Sequence, residues 1–278
     1  MRFPISSTAI DYSDIQLIVV NLLGLLIQII VFVYGFILAL KGTLTPKKTG
    51  ISIAIYFVSL CLTNSYRMTH LGLGWKIIVV DLGCGFGEHC KAFAEKGAKN
   101  VVGIDISEKM LEVARKENSI PAITYLNLPM EDIGRLNGRF DVVVSSLAFH
   151  YVEAFSEVVR IIYEKMNAGG AFVFSQENPL CTTHSSGARW TKDANGNKLY
   201  VNLSNYGLEG ERESKWFVEG VKKYHRMFST IVNTLIEAGF TIEKMIEPIP
   251  EAELAKKYPE YNDLFHKPDF LVIKAIKG

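Results

Sequence analysis

Short apolar segments alternate with amphipathic segments along residues 75–278, a pattern that indicates strands alternating with helices. The apolar segments are rich in Val and Ile, as expected for parallel strands that are buried on both faces. The predicted strands are Lys76–Leu82, Asn100–Asp105, Ala122–Leu128, Asp141–Ser146, Gly170–Ser175, Phe240–Glu247 and Asp269–Ile276. The predicted helices are Phe86–Lys96, Ser107–Lys116, Glu153–Met166 and Tyr224–Ala238. We therefore expect an α/β fold with a seven-stranded, mostly parallel sheet and helices on both faces.

Residues 1–74 follow a different pattern, because their apolar positions run together instead of alternating with polar ones. Residues 15–40 contain no charge, and a helix of that length is long enough to cross a bilayer core of about 30 Å. A second uncharged segment, residues 50–66, is at the lower limit for a span. We therefore expect residues 1–74 to be an apolar N-terminal segment that can anchor the chain in a membrane through residues 15–40.

Basic residues predict the orientation of this segment. Lys41, Lys47 and Lys48 follow the first apolar run, and the positive-inside tendency places them in the cytoplasm. With a single span, residues 75–278 are then also cytoplasmic. Two other interpretations stay open: a buried helix of a soluble fold, and an incorrect start site or reading frame upstream of residue 75.

Composition and charge narrow the function of residues 75–278. The chain carries 30 Lys+Arg against 29 Asp+Glu, a net charge of +1, and 49% of its residues are hydrophobic. This balance argues against a nucleic-acid-binding protein, which would carry a basic excess, and against a disordered chain. None of the four cysteines forms a C-x-x-C pair, so we expect no metal site and a reducing compartment.

The first predicted strand leads into a glycine-rich turn, Asp81-Leu82-Gly83-Cys84-Gly85-Phe86-Gly87. Glycines at this spacing allow a tight turn and close approach of the backbone to a ligand. The second predicted strand ends in Asp105, whose carboxylate can accept hydrogen bonds from both hydroxyls of a ribose. The loop and the acid together predict a site for a cofactor that contains a nucleoside.

Two classes of cofactor fit such a loop. A dinucleotide site has the spacing G-x-G-x-x-G, whereas here the third glycine, Gly87, comes one residue early and Glu88 takes its place. A carboxylate in the first helical turn would repel a pyrophosphate. Asp81, two residues before Gly83, suits a positively charged ligand such as S-adenosylmethionine (SAM). An NAD(P)-binding oxidoreductase and a non-catalytic, membrane-tethered SAM-binding module remain alternatives to a SAM-dependent enzyme.

Five motifs, taken in order, resemble those of the class I SAM-dependent methyltransferases. They are Asp81–Gly87, Gly103–Ser107, Leu128–Asp132, Phe140–Ser146 and Met166–Gly170. The last motif departs from the family pattern, because Ala168 stands where proline is usual. The resemblance covers about residues 76–277 and is closest to bacterial small-molecule methyltransferases of the quinone-biosynthesis type. It implies a Rossmann-like fold, SAM as cofactor and a small-molecule acceptor.

The resemblance also implies roles for individual residues. It implies that the cofactor is bound by Asp81, Gly83, Cys84, Gly85, Asp105, Ile106, Met110, Met130, Glu131 and Ser146. In this scheme Asp81 holds the amino group of SAM and Asp105 the ribose, while Ser146 lies near the transferred methyl group. Ile106, Met110 and Met130 pack on the adenine, and Glu131 accepts a hydrogen bond from its exocyclic amine.

The acceptor pocket is predicted beyond the fourth and fifth strands, since ligands of open α/β sheets bind at the carboxyl ends of strands. His150 follows the fourth strand and is the candidate general base, the alternative being a residue that only shapes the pocket. The candidate acceptor-binding residues are Tyr151, Glu177, Tyr224, His225 and Arg226. The last three are predicted to begin a helix after a polar insert, residues 178–220, in which Asn195-Gly196 indicates a turn. Aromatic residues of this insert are predicted to form a wall of the pocket: Trp190, Tyr200, Tyr206 and Trp216.

Overall fold

The computed structural model describes residues 77–183, 187–214 and 220–278. The chain divides into two compact units, residues 1–74 and residues 75–278, and all the described residues belong to the second unit. The predicted membrane span at residues 15–40 and Trp216 lie outside the described residues. Within the three described ranges, no helix combines the length and the apolar character that crossing a bilayer requires.

One seven-stranded sheet forms the centre of the described unit. Its strands, in spatial order, are β10 (Phe240–Ile246), β11 (Phe270–Lys277), β5 (Met166–Glu177), β4 (Phe140–Ser146), β1 (Ile78–Leu82), β2 (Asn100–Asp105) and β3 (Ile123–Asn127). Strands β1 to β5 are parallel, and β11 is antiparallel to both of its neighbours. This sheet confirms the predicted α/β, Rossmann-like class, with each of the seven predicted strands in it.

Seven α-helices and two small hairpins accompany the sheet in the described residues. The helices are α1 (Glu88–Glu95), α2 (Glu108–Glu117), α3 (Phe155–Lys165), α4 (Pro179–Thr182), α5 (Phe228–Glu237), α6 (Ala252–Lys257) and α7 (Asp263–His266). The hairpins pair β6 (Trp190–Lys192) with β7 (Lys198–Val201) and β8 (Gly210–Ser214) with β9 (Val221–His225). Ser107 caps α2 by accepting a hydrogen bond from the Met110 N–H, so this helix begins where the sequence predicted.

The last predicted helix begins later than expected, and this is a correction to the sequence interpretation. Tyr224 and His225 belong to β9, and α5 begins at Phe228. The alternation of buried and exposed side chains explains the difference, because Lys223 and His225 are buried while Lys222 is exposed. That period of two is typical of a strand with one buried face. The predicted turn at Asn195-Gly196 does form, between β6 and β7, with Gly196 at φ +88°.

The core lies between the centre of the sheet and the helices that cover it. Phe172 and Phe174 of β5 are fully buried, and their ring centroids lie 4.9 Å apart. Phe149 and Phe155 pack on the Phe174 ring, with centroid separations of 5.1 and 6.4 Å. This aromatic cluster fixes the chain directly after β4, where the predicted acceptor pocket begins.

Replacing Phe174 with alanine should lower the free energy of unfolding by about 3–5 kcal/mol, because it leaves a cavity where four aromatic rings meet. Chemical denaturation of the full chain measures this change. Phe265→Ala is a matched control, since that ring is 51% exposed. A loss of similar size in both variants would contradict the assignment of this cluster to the core.

Candidate functional site

The turn after β1 is shaped by three glycines in the left-handed region. Gly83, Gly85 and Gly87 have φ values of +72°, +53° and +77°. The N–H groups of Gly83 and Cys84 both donate to the Ile104 carbonyl at 2.9 Å, which ties the turn to β2. A Cβ atom at Gly83 would lie 2.7 Å from Cβ of Ala148, whereas one at Gly85 would meet nothing within 4 Å. The turn is therefore closely packed at Gly83 and open to a ligand at Gly85.

Asp105 joins this turn to the end of β2. One carboxylate oxygen accepts from the Gly85 N–H at 2.9 Å, and the other accepts from the Ser107 N–H at 2.8 Å. Each carboxylate oxygen can accept a second hydrogen bond. Asp105 can therefore hold the turn and bind a pair of ligand hydroxyls at the same time.

Asp81 is a buried carboxylate at the end of β1. Its Oδ2 atom accepts from the Cys90 thiol at 3.5 Å and lies 3.8 Å from His89 Nδ1. Burial raises the pKa of Asp81. The charge of His89 and the hydrogen bond from Cys90 lower this pKa, but by less than burial raises it. Within the described residues, Oδ1 is buried and has no hydrogen-bond partner. An unpartnered acceptor of this kind fits the ammonium group of a ligand such as SAM.

Exposed apolar side chains continue the site beyond Asp105. Ile106 is 74% exposed and Met110, in the first turn of α2, is 37% exposed. The Met130 methyl group lies 3.5 Å from the position of a Cβ at Gly83, so this side chain reaches the glycine turn. Glu131 is exposed at the start of a short 3₁₀ helix, Met130–Arg135. These positions fit a flat aromatic ligand group, with Glu131 at the surface.

The side chains of Cys84 and Ser146 contact neighbouring strands of the sheet. The Cys84 sulfur would lie 2.9 Å from a Cβ atom at Gly103, so this side chain faces β2 and offers a ligand only its backbone. Ser146 ends β4 half-buried, and its hydroxyl is 3.5 Å from that of Ser175 on β5. The structure thus brings the predicted cofactor residues to one edge of the sheet.

The residue after Ser146 has a strained backbone conformation that the sequence did not predict. Leu147 has φ +54°, the left-handed region that residues with a Cβ rarely adopt. Its N–H donates to the Ser175 carbonyl at 2.9 Å, which holds this conformation in place. Strain of this kind is often found where a chain is shaped for a ligand.

His150 is buried directly beyond this strained residue. Its Nδ1 atom accepts from the Glu177 N–H at 3.4 Å, so Nε2 carries the hydrogen, 4.0 Å from Glu177 Oε1. Burial, with the positive charges of Lys223 and Arg226, lowers the pKa of His150 to about 3. The imidazole is therefore neutral at physiological pH, and its proton-accepting nitrogen is already engaged.

Glu177, at the end of β5, forms an ion pair with Lys223 of β9. Lys223 is only 8% exposed, and its ammonium group also lies 5.9 Å from the centroid of the Tyr151 ring. Burial and the charge of Glu177 raise the pKa of Tyr151, which keeps its hydroxyl neutral. The sequence interpretation missed Lys223, although period-two alternation through Lys223 and His225 could have indicated it.

The side chains of His225 and Arg226 contact other parts of the protein and stabilise the fold. The two ring nitrogens of His225 lie 2.8 Å from the Thr182 hydroxyl and 3.0 Å from the Tyr206 carbonyl. Because a carbonyl only accepts, Nε2 carries the hydrogen, and burial lowers the pKa of this histidine. Arg226 donates to the carbonyls of Val152 and Glu153, and burial lowers its pKa to about 10.

Tyr224 faces the solvent side of the same region. Its hydroxyl donates to Glu153 at 3.2 Å. Tyr224, His225 and Arg226 line a recess of about 310 Å³ together with Glu209 and Glu211, and none of the predicted cofactor residues lines it. The three residues are therefore close to one another, in a recess that the predicted cofactor residues do not line.

The aromatic residues predicted as a pocket wall are divided between two places. Trp190 packs on His266 with ring centroids 5.6 Å apart, and the Lys198 ammonium lies 4.8 Å from the Trp190 ring centroid. Tyr200 is 56% exposed. The Tyr206 ring packs against His225, 5.6 Å between centroids. Trp190 thus contacts α7 and β7, whereas Tyr206 contacts β9.

Comparison with known proteins assigns this geometry to a family. The family model described as a methyltransferase domain matches residues 80–174, from β1 to β5. A solved Listeria monocytogenes structure, provisionally described as a SAM-dependent methyltransferase, is 37% identical with a TM-score of 0.66. That match covers 77% of this chain and 98% of the other. A SAM-dependent methyltransferase structure from Mesorhizobium loti is 35% identical with a TM-score of 0.66, over 73% of this chain and 91% of the other.

A curated relative matches about a third of the chain. The ubiquinone biosynthesis O-methyltransferase of Pseudomonas aeruginosa is 35% identical over 103 residues, which are 36% of this chain and 44% of that enzyme. The two SAM-dependent methyltransferase structures and the glycine turn agree on SAM as the cofactor, and the family model agrees on methyl transfer. The resemblance drawn from the five motifs is therefore confirmed, and the chain belongs to the class I SAM-dependent methyltransferases.

Proposed function

We propose that the enzyme transfers the methyl group of SAM to a small-molecule acceptor at the carboxyl edge of β1, β4 and β5. The observation that carries this proposal is the buried Asp81 carboxylate with its unpartnered Oδ1, next to a glycine turn that is open at Gly85. A buried acceptor without a partner costs about 1–3 kcal/mol, which a bound ammonium group would offset. The small-molecule acceptor is supported by the balanced charge of the chain and by the partial similarity to an O-methyltransferase.

The roles of the individual residues follow from their positions. Asp81 binds the amino group of SAM, and the backbone of Gly83 and Gly85 lines its methionine part. Asp105 binds the ribose through the free lone pairs of its two oxygens. The adenine lies among Ile106, Met110 and Met130, with Glu131 at its amino edge. Burial of these apolar side chains by the adenine adds about 25 cal/mol per Å² of covered surface.

SAM supplies a methyl group on a positively charged sulfur, so the leaving group is already activated. The chain then has to orient the acceptor and exclude water. Ser146 and the strained Leu147 lie where the acceptor approaches, between the glycine turn and His150. We propose that His150 shapes this pocket and does not act as a base, because its Nδ1 is occupied and its pKa is lowered to about 3.

A dinucleotide does not suit the same turn. Glu88 is the first residue of α1, and Gly87 precedes it as the cap. The Glu88 carboxylate therefore lies at the helix N-terminus, where a pyrophosphate would need the free N–H groups. This repulsion disfavours the NAD(P)-binding oxidoreductase that the sequence left open.

Replacing Asp105 with alanine should weaken SAM binding by about 1.5–3 kcal/mol, the usual contribution of a hydrogen bond to a charged group. Isothermal calorimetry on the full chain measures this loss. Glu253→Ala is the control, because that exposed carboxylate pairs only with Lys256 among the described residues. Equal affinity of the Asp105 variant and the wild type would refute the proposed ribose contact.

The Asp81→Asn variant should bind SAM more weakly, again by about 1.5–3 kcal/mol, since it lacks the charge that faces the ammonium group. Methylthioadenosine, which lacks the amino-acid part of SAM, should bind the variant and the wild type equally. A matched loss for both ligands would mean that Asp81 acts on the turn and not on the amino group.

The same variant should be more stable than the wild type at neutral pH. Because burial raises the pKa of Asp81, the folded chain holds this proton more tightly than the unfolded chain does. The stability that this group contributes is complete below its ordinary pKa of 3.8 and is lost as the pH rises through the raised value. Denaturation at several pH values should therefore show the advantage of Asp81→Asn shrinking on acidification. An advantage that does not change with pH would contradict this account.

A further inference from the structure

Lys223 is a buried cation that serves no purpose in the cofactor site. Its side chain comes from β9, crosses to the end of β5 and pairs with the Glu177 carboxylate. Burying an ammonium group is costly unless it is paired, so Lys223 and Glu177 stabilise each other as ions. The preceding residue, Lys222, is exposed on the other face of β9 and pairs with Glu211. The chain thus provides a buried lysine and an exposed one side by side.

The residues after β4 connect the ion pair to the glycine turn. Ala148 packs against Gly83, and His150, two residues later, accepts the Glu177 N–H. Glu177 itself is two residues beyond Ser175, whose partner across β4 and β5 is Ser146. A path of direct contacts therefore runs from the cofactor turn to the Glu177 carboxylate.

The backbone that follows Glu177 is held firmly. The Asn178 N–H donates to the Asp269 carbonyl at 2.8 Å, and the Asn178 amide donates to Glu247 at 2.6 Å. The Asn178 side-chain oxygen also caps α4 by accepting from the Leu180 N–H at 3.0 Å. With Lys223 on one side and Asn178 behind it, the Glu177 side chain has a defined position.

Glu177 is the anionic group of this pocket. His150 is neutral, and Tyr151 keeps its proton. Within the described residues, the contacts of the Glu177 carboxylate use Oε1 alone, and its side chain is 24% exposed. Oε2 is therefore available to a ligand that donates a hydrogen bond.

Methyl transfer to a neutral acceptor needs a group that accepts a proton, and Oε2 of Glu177 can be that group. When a neutral hydroxyl or amine is methylated, its lone pair forms the new bond to carbon, and the sulfur keeps the electron pair of the bond that breaks. The acceptor atom then carries one proton too many, which must pass to a base. A carboxylate within hydrogen-bond reach of that atom can take it.

We propose that Glu177 is the catalytic residue that accepts the hydrogen bond and then the proton of the acceptor, and that Lys223 is the residue that positions it. The acceptor is then a neutral molecule with an O–H or N–H group at the methylated atom. This inference rests on the proposed methyl transfer, because it concerns the second ligand of the same site.

A binding experiment on the full chain tests the inference without turnover. The chain is saturated with S-adenosylhomocysteine, the demethylated form of SAM, and phenol and anisole are titrated as probes by ligand-observed NMR. The two probes share a ring, but anisole carries a methyl group in place of the hydroxyl hydrogen. Wild-type protein should bind phenol about tenfold more tightly than anisole, the effect of a hydrogen bond to a charged group.

Three variants and one control locate the effect. Glu177→Gln and Lys223→Met should each reduce the preference for phenol to about twofold or less, whereas Lys223→Arg should keep most of it. Retention of the preference in Lys223→Arg, which keeps the charge, together with its loss in Lys223→Met identifies the cation as the cause, because a purely structural role would not depend on the charge. Lys222→Met is the matched control and should behave as the wild type.

The outcomes separate the two proposals. Failure of S-adenosylhomocysteine to bind would count against the proposed function itself. If it binds and the two probes bind equally, or if Glu177→Gln keeps the full preference for phenol, the assignment of Glu177 is overturned and the proposed function stands.

Discussion

The cofactor half of this enzyme depends on one carboxylate and the two N–H groups that it accepts. Asp105 holds Gly85 and Ser107 at once, so it joins the turn after β1 to the start of α2. Without that bridge, the left-handed Gly85 would lose a hydrogen bond that fixes it, and glycine gains the most freedom on release. The remaining ties, from Gly83 and Cys84 to the Ile104 carbonyl, come from the same strand. The end of β2 therefore shapes a turn that is distant from it in sequence.

Buried charge distinguishes the two halves of the site. Lys223, Lys267 and Lys274 are each less than 10% exposed, and each pairs with a carboxylate. Asp81 is equally buried, and its nearest basic group is His89 at 3.8 Å. A buried carboxylate that lacks a full cationic partner is strained electrostatically, which its raised pKa records. Among the described residues, the three buried lysines are thus paired with carboxylates, whereas Oδ1 of the buried Asp81 has no hydrogen-bond partner.

The cofactor half could be predicted from sequence because its signals are local. The glycines follow directly after a strand, Asp105 ends the next strand, and Ser107 caps the helix that follows. Each signal reflects a backbone requirement that holds wherever such a turn occurs. Met130 and Ser146 were predicted from the resemblance of their motifs to those of the class I methyltransferases. The apolar segment before β1 lies outside the described residues, so the membrane anchor at residues 15–40 stays a prediction.

The acceptor half could not be predicted in the same way, because its contacts join distant parts of the chain. Lys223 reaches Glu177 across 46 positions, and Arg226 reaches Val152 across 74. The cluster Tyr224-His225-Arg226 suggested a ligand site from its residue types, but both ring nitrogens of His225 are within hydrogen-bond distance of protein atoms, and Lys223 is the residue of β9 that pairs with Glu177. Leu147 gave no sequence signal, since its left-handed backbone is held by Ser175 on another strand. The contacts of the glycine turn join residues 20 positions apart, from Gly85 to Asp105, whereas the Lys223–Glu177 pair joins β9 to β5 across 46 positions, so a local motif predicts the first arrangement and not the second.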